Sequence, residues 1–254
     1  MKIRRILTVF KMEITRQVKD PLVLVFTTFL VPLLILIFGL AMNKEPAWDT
    51  PYSVFIHMVP GLLVYACILT IYDVAASIAG ERELGLQRRL NTTPLSTAEY
   101  ITSQLLTYSV KPLVQFGIGY GIAFALGYRP PNMTFIRYLL AIVFLLLLTF
   151  CSVGLGLITA HFAKSASAAG GLAFIFIVPQ QIFSSIIPPE FMGLEGVAKA
   201  FPSYYAQNSL YYYIFNTVEP LTNPVLWRNF GILLAFSVVI YITGMFVYNK
   251  MKNK

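Results

Sequence analysis

Residues 80–97 read GERELGLQRRLNTTPLST, a charged island between two long apolar runs. Glu81, Arg82, Glu83, Arg88 and Arg89 are too costly to place in hydrocarbon, so this segment lies in water while the runs beside it lie in a membrane. Within it, Leu84, Leu86 and Leu90 fall on one side of a short helix. Pro94 ends that helix, because proline has no N–H and clashes with the preceding turn. Ser96-Thr97-Ala98-Glu99 then reads as a capping box that opens the next helix. A short amphipathic helix in an aqueous loop is either a docking element or a solvated turn, and the residues alone favour the turn.

The composition agrees with that frame. The chain has 254 residues, 57% hydrophobic and 12% charged, with a mean hydropathy of +0.70. Soluble domains carry about 25% charged residues, so the chain reads as an all-α integral membrane protein forming a single domain over residues 1–254. In a soluble protein a net charge of +8 would suggest a nucleic-acid partner. Here the basic residues sit at the ends and between spans, which is the pattern of membrane topology instead. Cys67 and Cys151 both lie in apolar runs without metal-ligand spacing and read as small apolar fillers. No cleavable signal peptide is evident.

Residues 2–20 hold six Lys/Arg against two acids, with Ile3, Ile6, Leu7, Phe10, Ile14 and Val18 recurring at helical steps. This is the signature of a basic amphipathic helix lying in the membrane surface. Pro21 suits a helix start, and residues 21–42 form a first span of about 22 residues, enough for roughly 30 Å of hydrocarbon. Further spans are expected at 56–79, 97–126, 135–162, 168–187 and 230–248. Trp48 and Tyr52, in the loop after the first span, suit an interfacial belt.

The N-terminal helix, the 80–99 loop, Lys164 and the C-terminal tail together hold thirteen Lys/Arg, against five on the other side: Lys44, Arg129, Arg137, Lys199 and Arg228. The excess places both termini in the cytoplasm. Residues 188–227 are too polar to cross and too apolar for a free loop. Pro188-Pro189 breaks the fifth helix, and Phe191–Phe201 and Tyr204–Phe215 read as two short amphipathic helices split by Pro202. With Tyr204, Tyr205, Tyr211, Tyr212, Tyr213 and Phe215, this segment is expected to form a re-entrant hairpin in the outer leaflet, its aromatics at interfacial depth.

Asp73 and Lys111 are the acid and base placed within the bilayer, where a charge defaults to a functional hypothesis. At about 1.5 Å per residue, Asp73 lies roughly 10 Å from the Gly80 end of its span and Lys111 roughly 21 Å from Thr97. The two depths match if the third span starts below the membrane. Structural pairing, a cavity-lining role and substrate contact are all open. His57 and His161 share no metal or protease spacing. Gly117-x-x-x-Gly121 permits close helix packing.

Taken together, these elements resemble the type-2 ATP-binding-cassette (ABC) exporter permeases. The loop motif is Glu81-Arg82-Glu83, Gly85, Arg89-Leu90 and Thr93-Pro94-Leu95-Ser96. The later motif is Pro188-Pro189-Glu190-Phe191 followed by Phe201-Pro202-Ser203-Tyr204-Tyr205, where Ser203 replaces a bulkier apolar residue more usual in the family. The resemblance covers essentially the whole chain. It implies a coupling helix over Glu81–Leu90 inserted into a groove of an ATP-hydrolysing subunit, with Glu81, Arg82, Glu83 and Arg88 facing it and the N-terminal helix as a second contact.

The same resemblance implies two ATPase subunits per complex, a second permease copy as dimer partner, and the plasma membrane of a prokaryote. ATP and Mg would belong to the ATPase, with no cofactor in this chain. A P-loop needs GxxxxGK[ST] to cradle phosphates, and the sequence has none, so the chain is not itself the hydrolase. The expected function is export of an amphipathic or hydrophobic, drug-like or lipid-like substrate. Glycan export within the same family is the second reading. An ATP-independent channel or an intramembrane enzyme using Asp73 and Lys111 is the rival class.

Overall fold

A long apolar run in a bilayer can satisfy its backbone without water by coiling into a helix. The computed structural model describes residues 3–19, 21–43, 53–86, 95–184 and 193–252. We number its helices α1 (Ile3–Lys19), α2 (Pro21–Met42), α3 (Val54–Glu83), α4 (Thr97–Ala125), α5 (Phe135–Phe162), α6 (Ala166–Ser184), α7 (Glu195–Ala198), α8 (Pro202–Phe215) and α9 (Pro224–Lys252), with a 3-10 turn at Pro220–Thr222. No strand element occurs among the described residues.

Among the described residues, four helices are long and apolar enough to cross a membrane: Val54–Glu83, Phe135–Phe162, Ala166–Phe183 and Pro224–Asn249. Each of the six expected spans falls on a helix, since α2 and α4 supply the other two. Three expectations need correction. The second span does not stop at Ala79 but runs on to Glu83, because the charged residues at its end find protein partners. The helix expected over Glu81–Leu90 therefore begins as the end of α3, and its turn closes at Gly85, whose φ of 70° is the left-handed conformation that favours glycine. Residues 87–94, with Arg88, Arg89, Leu90 and Pro94, lie outside the described residues.

The third correction concerns residues 188–227. Pro188, Pro189 and Glu190 lie outside the described residues, as do Trp48 and Tyr52. Beyond them, two short helices form as expected, but the first, α7, is a single turn, and Pro202 divides them as the first residue of α8, where its missing N–H costs nothing. Of the six α8 aromatics, Tyr211, Tyr212 and Phe215 are half-buried. Tyr204, Tyr205 and Tyr213 are buried, because α8 packs among α3, α5, α6 and α9.

At the centre is α3, which touches α2, α4, α5, α6 and α8. Small residues set its closest approaches. A Cβ on Gly156 of α5 would sit 2.7 Å from the Val74 Cβ and 3.0 Å from the Ile71 carbonyl oxygen on α3. On its other flank α5 meets α9 backbone to backbone, with Gly154 against Ile240 and Gly244 against Gly154. By contrast, Cβ atoms on Gly117 and Gly121 would meet nothing within 4 Å, while Gly119 packs on Ile35 and Leu63. The expected Gly-x-x-x-Gly contact is thus not made inside this chain. Exposed Leu33, Ile37 and Leu40 on α2 and Val239, Ile242 and Phe246 on α9 form apolar surface that a bilayer would cover.

Both ends of the chain meet at one end of the bundle. There α1 packs on α4, and Tyr248 near the C-terminus stacks on Tyr100, ring centroids 5.0 Å apart. At the far end, Arg137 is buried. Its guanidinium donates to the carbonyls of Tyr213 (2.9 Å), Asn216 (2.6 Å) and Val218 (3.1 Å). A cation there satisfies the free carbonyls and the negative dipole end of α8.

Candidate functional site

The charged end of α3 ties together four segments. Glu81 is buried. It accepts from the Arg16 Nη1 of α1 at 2.8 Å and from the Tyr100 hydroxyl of α4 at 2.6 Å. Arg82 donates to the Ala163 carbonyl in the turn between α5 and α6. Glu83 accepts from the Ala166 backbone N–H at 3.0 Å. Three of the four charges that were expected to face a partner thus have partners within the chain, and Glu81 is turned fully inward; the fourth, Arg88, lies outside the described residues. At its outward side the end of α3 presents Glu83, exposed despite its bond to Ala166, and Leu84, which is 75% exposed.

The capping box at Ser96 forms as expected, with the Glu99 N–H donating to the Ser96 hydroxyl at 3.2 Å and the Ser96 N–H to Glu99 at 3.1 Å. Glu99 also lies 3.7 Å from Arg5, a second charge contact between α1 and α4. The apolar stripe read from the sequence is not the face α1 docks with. Ile6, Val9 and Glu13 are buried, while Ile3, Leu7 and Val18 are exposed. The helix therefore turns three faces to three surroundings: Ile6, Val9 and Glu13 to the bundle, an apolar stripe outward, and a basic flank between. That flank lines a cavity of about 950 Å³ with Arg4, Lys11 and Lys19, closed on the other side by Glu81 and Leu86.

Glu13 and Arg16 are the members of this cluster that sequence reading passed over. Their Glu-x-x-Arg spacing puts both on one helix face. In the structure Arg16 lies 2.6 Å from Glu13 and 2.8 Å from Glu81, and Glu13 is wholly buried. One guanidinium thus serves two buried carboxylates. Burial, and then the neighbouring Glu81 charge, push the Glu13 carboxyl up to about 7 against the opposing pull of Arg16.

Deeper in the bundle, Lys111 donates to Asp73 and both side chains are largely buried. Of the roles left open for these two residues, pairing is the one formed here: the two depths coincide because α4 begins at the bundle end beside α1. Asp73, Ser77 and Glu81 recur every four residues on one face of α3, and Arg16 also donates to Ser77. On α4, Tyr100, Gln104, Lys111 and Gln115 share a face, and Gln115 donates to the Thr27 carbonyl of α2 at 2.9 Å. A polar seam therefore runs from α1 to the intramembrane pair. Its signal in the sequence is the four-residue recurrence of polar residues in both helices.

At the far end, Tyr204 and Tyr205 stand edge to face, and the Tyr205 hydroxyl donates to the Lys199 carbonyl at 2.8 Å. Tyr211 donates to the His57 carbonyl at 2.8 Å, and the His57 ring stacks on Phe215. Their role here is to hold α8 in the bundle.

The family model for the ABC-2 type transporter matches residues 4–215 of this chain. An uncharacterized transmembrane protein of Bacillus subtilis (strain 168), YxlG, is 38% identical over 56 residues, a match that spans 22% of this chain and 22% of that protein.

Proposed function

Since this chain belongs to the ABC-2 type transporter family, and is therefore a multi-pass membrane permease of a kind that normally works with ABC ATPase partners, we propose that it is the transmembrane half of an ATP-driven exporter. The observation that carries the reading is the convergence at one end of the bundle. There α1, the end of α3, the start of α4 and the turn between α5 and α6 are joined by Glu81, Arg82 and Glu83. A push on this end reaches four helices at once. Exposed Leu84, and the cavity that Leu86 lines together with Arg4, Lys11 and Lys19, offer apolar and cationic surface of the kind that a soluble partner buries.

In this reading the end carrying α1 faces the cytoplasm of a prokaryotic cell, as the excess of Lys/Arg there supports. Two ATPase subunits bind two copies of the chain, and Glu81, Arg82 and Glu83 transmit force from within while Leu84 makes the contact. ATP and Mg belong to the ATPase. The substrate is amphipathic or hydrophobic, because Asp73 and Lys111 neutralise each other and leave little charge to bind an ionic one. Their mutual pairing also supports a structural role over work as an acid and a base. Co-expression with the cognate ATPase tests the reading: it is retained by the wild-type chain and released by Leu84→Asp/Leu86→Asp. Failure of any ABC ATPase to co-purify with the wild type would overturn it.

A further inference from the structure

The Glu13–Arg16–Glu81 cluster has a property that binding an ATPase does not require. Glu13 is wholly buried and Glu81 nearly so, and Arg16 lies within 2.8 Å of each. With both carboxylates ionised, the cluster holds one uncompensated buried negative charge, which is strongly unfavourable in a low-dielectric contact. With a proton on Glu13 it is neutral. We propose that this cluster is a proton-operated latch that fastens the N-terminal helix to the bundle while Glu13 is protonated and loosens it when the proton leaves.

Among the described residues, Arg16 is the cation in contact with both Glu13 and Glu81; Arg4, Lys11 and Lys19 of α1 border the same cavity as Glu81 but are exposed. From α3 come Glu81 and the Ser77 hydroxyl, which receives Arg16. From α4 come Tyr100, whose hydroxyl is donated to Glu81, Tyr108, which adds no cation, and Glu99, which lies beside Arg5. From α9 comes Tyr248, stacked on Tyr100. The sequence of α2 contains no ionisable side chain. The apolar part of the α1 contact is small, with Ile6 and Val9 its buried hydrophobics, so the charge state of the cluster weighs heavily.

The direction follows from the carboxyl value. Docked, Glu13 is raised from 4.5 to about 7, so docked α1 holds the proton more tightly than released α1. The protonation contribution to docking is fully present below the ordinary carboxylate value, declines as the pH rises, and is gone above about 7. Cytoplasmic pH lies on this slope if the α1 end faces the cytoplasm. Any effect on transport therefore rests on the reading of that end given above; the latch itself does not.

The test follows α1 in the full chain in lipid nanodiscs without any ATPase. Spin labels on Met12→Cys and Lys164→Cys report the distance from α1 to the turn between α5 and α6. The native Cys67 and Cys151 are buried. In the otherwise wild-type chain the distance distribution is narrow at about pH 6 and broadens towards about pH 9, with a midpoint near neutrality. Glu13→Gln keeps it narrow throughout. Glu81→Gln, which leaves Arg16 to Glu13 alone, does the same and guards against a folding defect peculiar to position 13. A wild-type distribution that does not change with pH, or a transition that persists unchanged in both variants, overturns the latch. Because no ATPase is present, neither result bears on the docking reading.

Discussion

The Glu83 carboxylate accepts a hydrogen bond at 3.0 Å from the backbone N–H of Ala166, so the last residue of α3 closes the first turn of α6. The first N–H groups of a helix have no partner within it. Ser165 satisfies one, its hydroxyl accepting from Ala168 at 3.2 Å, and Glu83 satisfies another from a different helix. The end of the central helix and the start of α6 are thus joined directly, a link that the proposed transmission of force would use.

Glu83→Ala removes that cap and its favourable charge at the helix N-terminus. The expected loss is about 1 kcal/mol of stability, read as a lower melting temperature in detergent. Glu83→Gln, which keeps an acceptor, recovers part of it. Hydrogen exchange at the start of α6 should rise in Glu83→Ala and stay near wild type in Glu83→Gln.

Asp73→Asn leaves the Lys111 ammonium buried without its counter-charge. Breaking a buried pair from one side costs about 3–5 kcal/mol, whereas replacing both partners by apolar residues is often near neutral. Asp73→Leu/Lys111→Leu is therefore expected to be more stable than either single variant in a denaturant titration. A double variant that also loses the transport of the wild type would assign the pair a working role beyond structure.

Arg137→Leu strips three carbonyls at the end of α8 of their donor. Hydrogen bonds to a charged group contribute about 1.5–3 kcal/mol, and the loss should appear as faster hydrogen exchange through Tyr213 and Asn216. Exchange in α1, at the other end of the bundle, should stay unchanged.

Gly154→Leu forces a side chain into the α9 backbone, where even a Cβ lies 3.0 Å from the Ile240 carbonyl carbon and oxygen. The variant is expected to lose the contact between α5 and α9 and to fail to assemble. Gly117→Leu, whose Cβ meets nothing within this chain, should leave the monomer's melting temperature close to wild type. A large drop for Gly117→Leu would point to a contact made by that face in the assembled protein.

The spans were legible because long apolar runs flanked by Pro21, by Ser96 and by the 80–97 charges leave few alternatives: residues 21–42 and 135–162 match their helices end to end. The capping box was legible because its chemistry is local. What could not be read was decided by distant partners. Glu81 looked like a solvated loop charge, but Arg16 and Tyr100 draw it inside. That α1 also docks on the bundle was not legible: its apolar stripe suits a membrane surface, and Glu13 belongs inside only when Arg16 stands beside it. That Tyr204, Tyr205 and Tyr213 would be buried against other helices was likewise not legible, since composition does not say which rings of an amphipathic helix face protein.

The central claim is that the exposed tip of α3 couples this permease to ATP hydrolysis. The measurement that tests it most directly is substrate-stimulated ATP hydrolysis by the chain reconstituted in proteoliposomes with its ATPase. Wild type is compared with Leu84→Asp at the tip and Val218→Asp on the exposed far end. The account predicts that Leu84→Asp abolishes the stimulation while Val218→Asp retains it, with both variants folded. Wild-type stimulation in Leu84→Asp would contradict it.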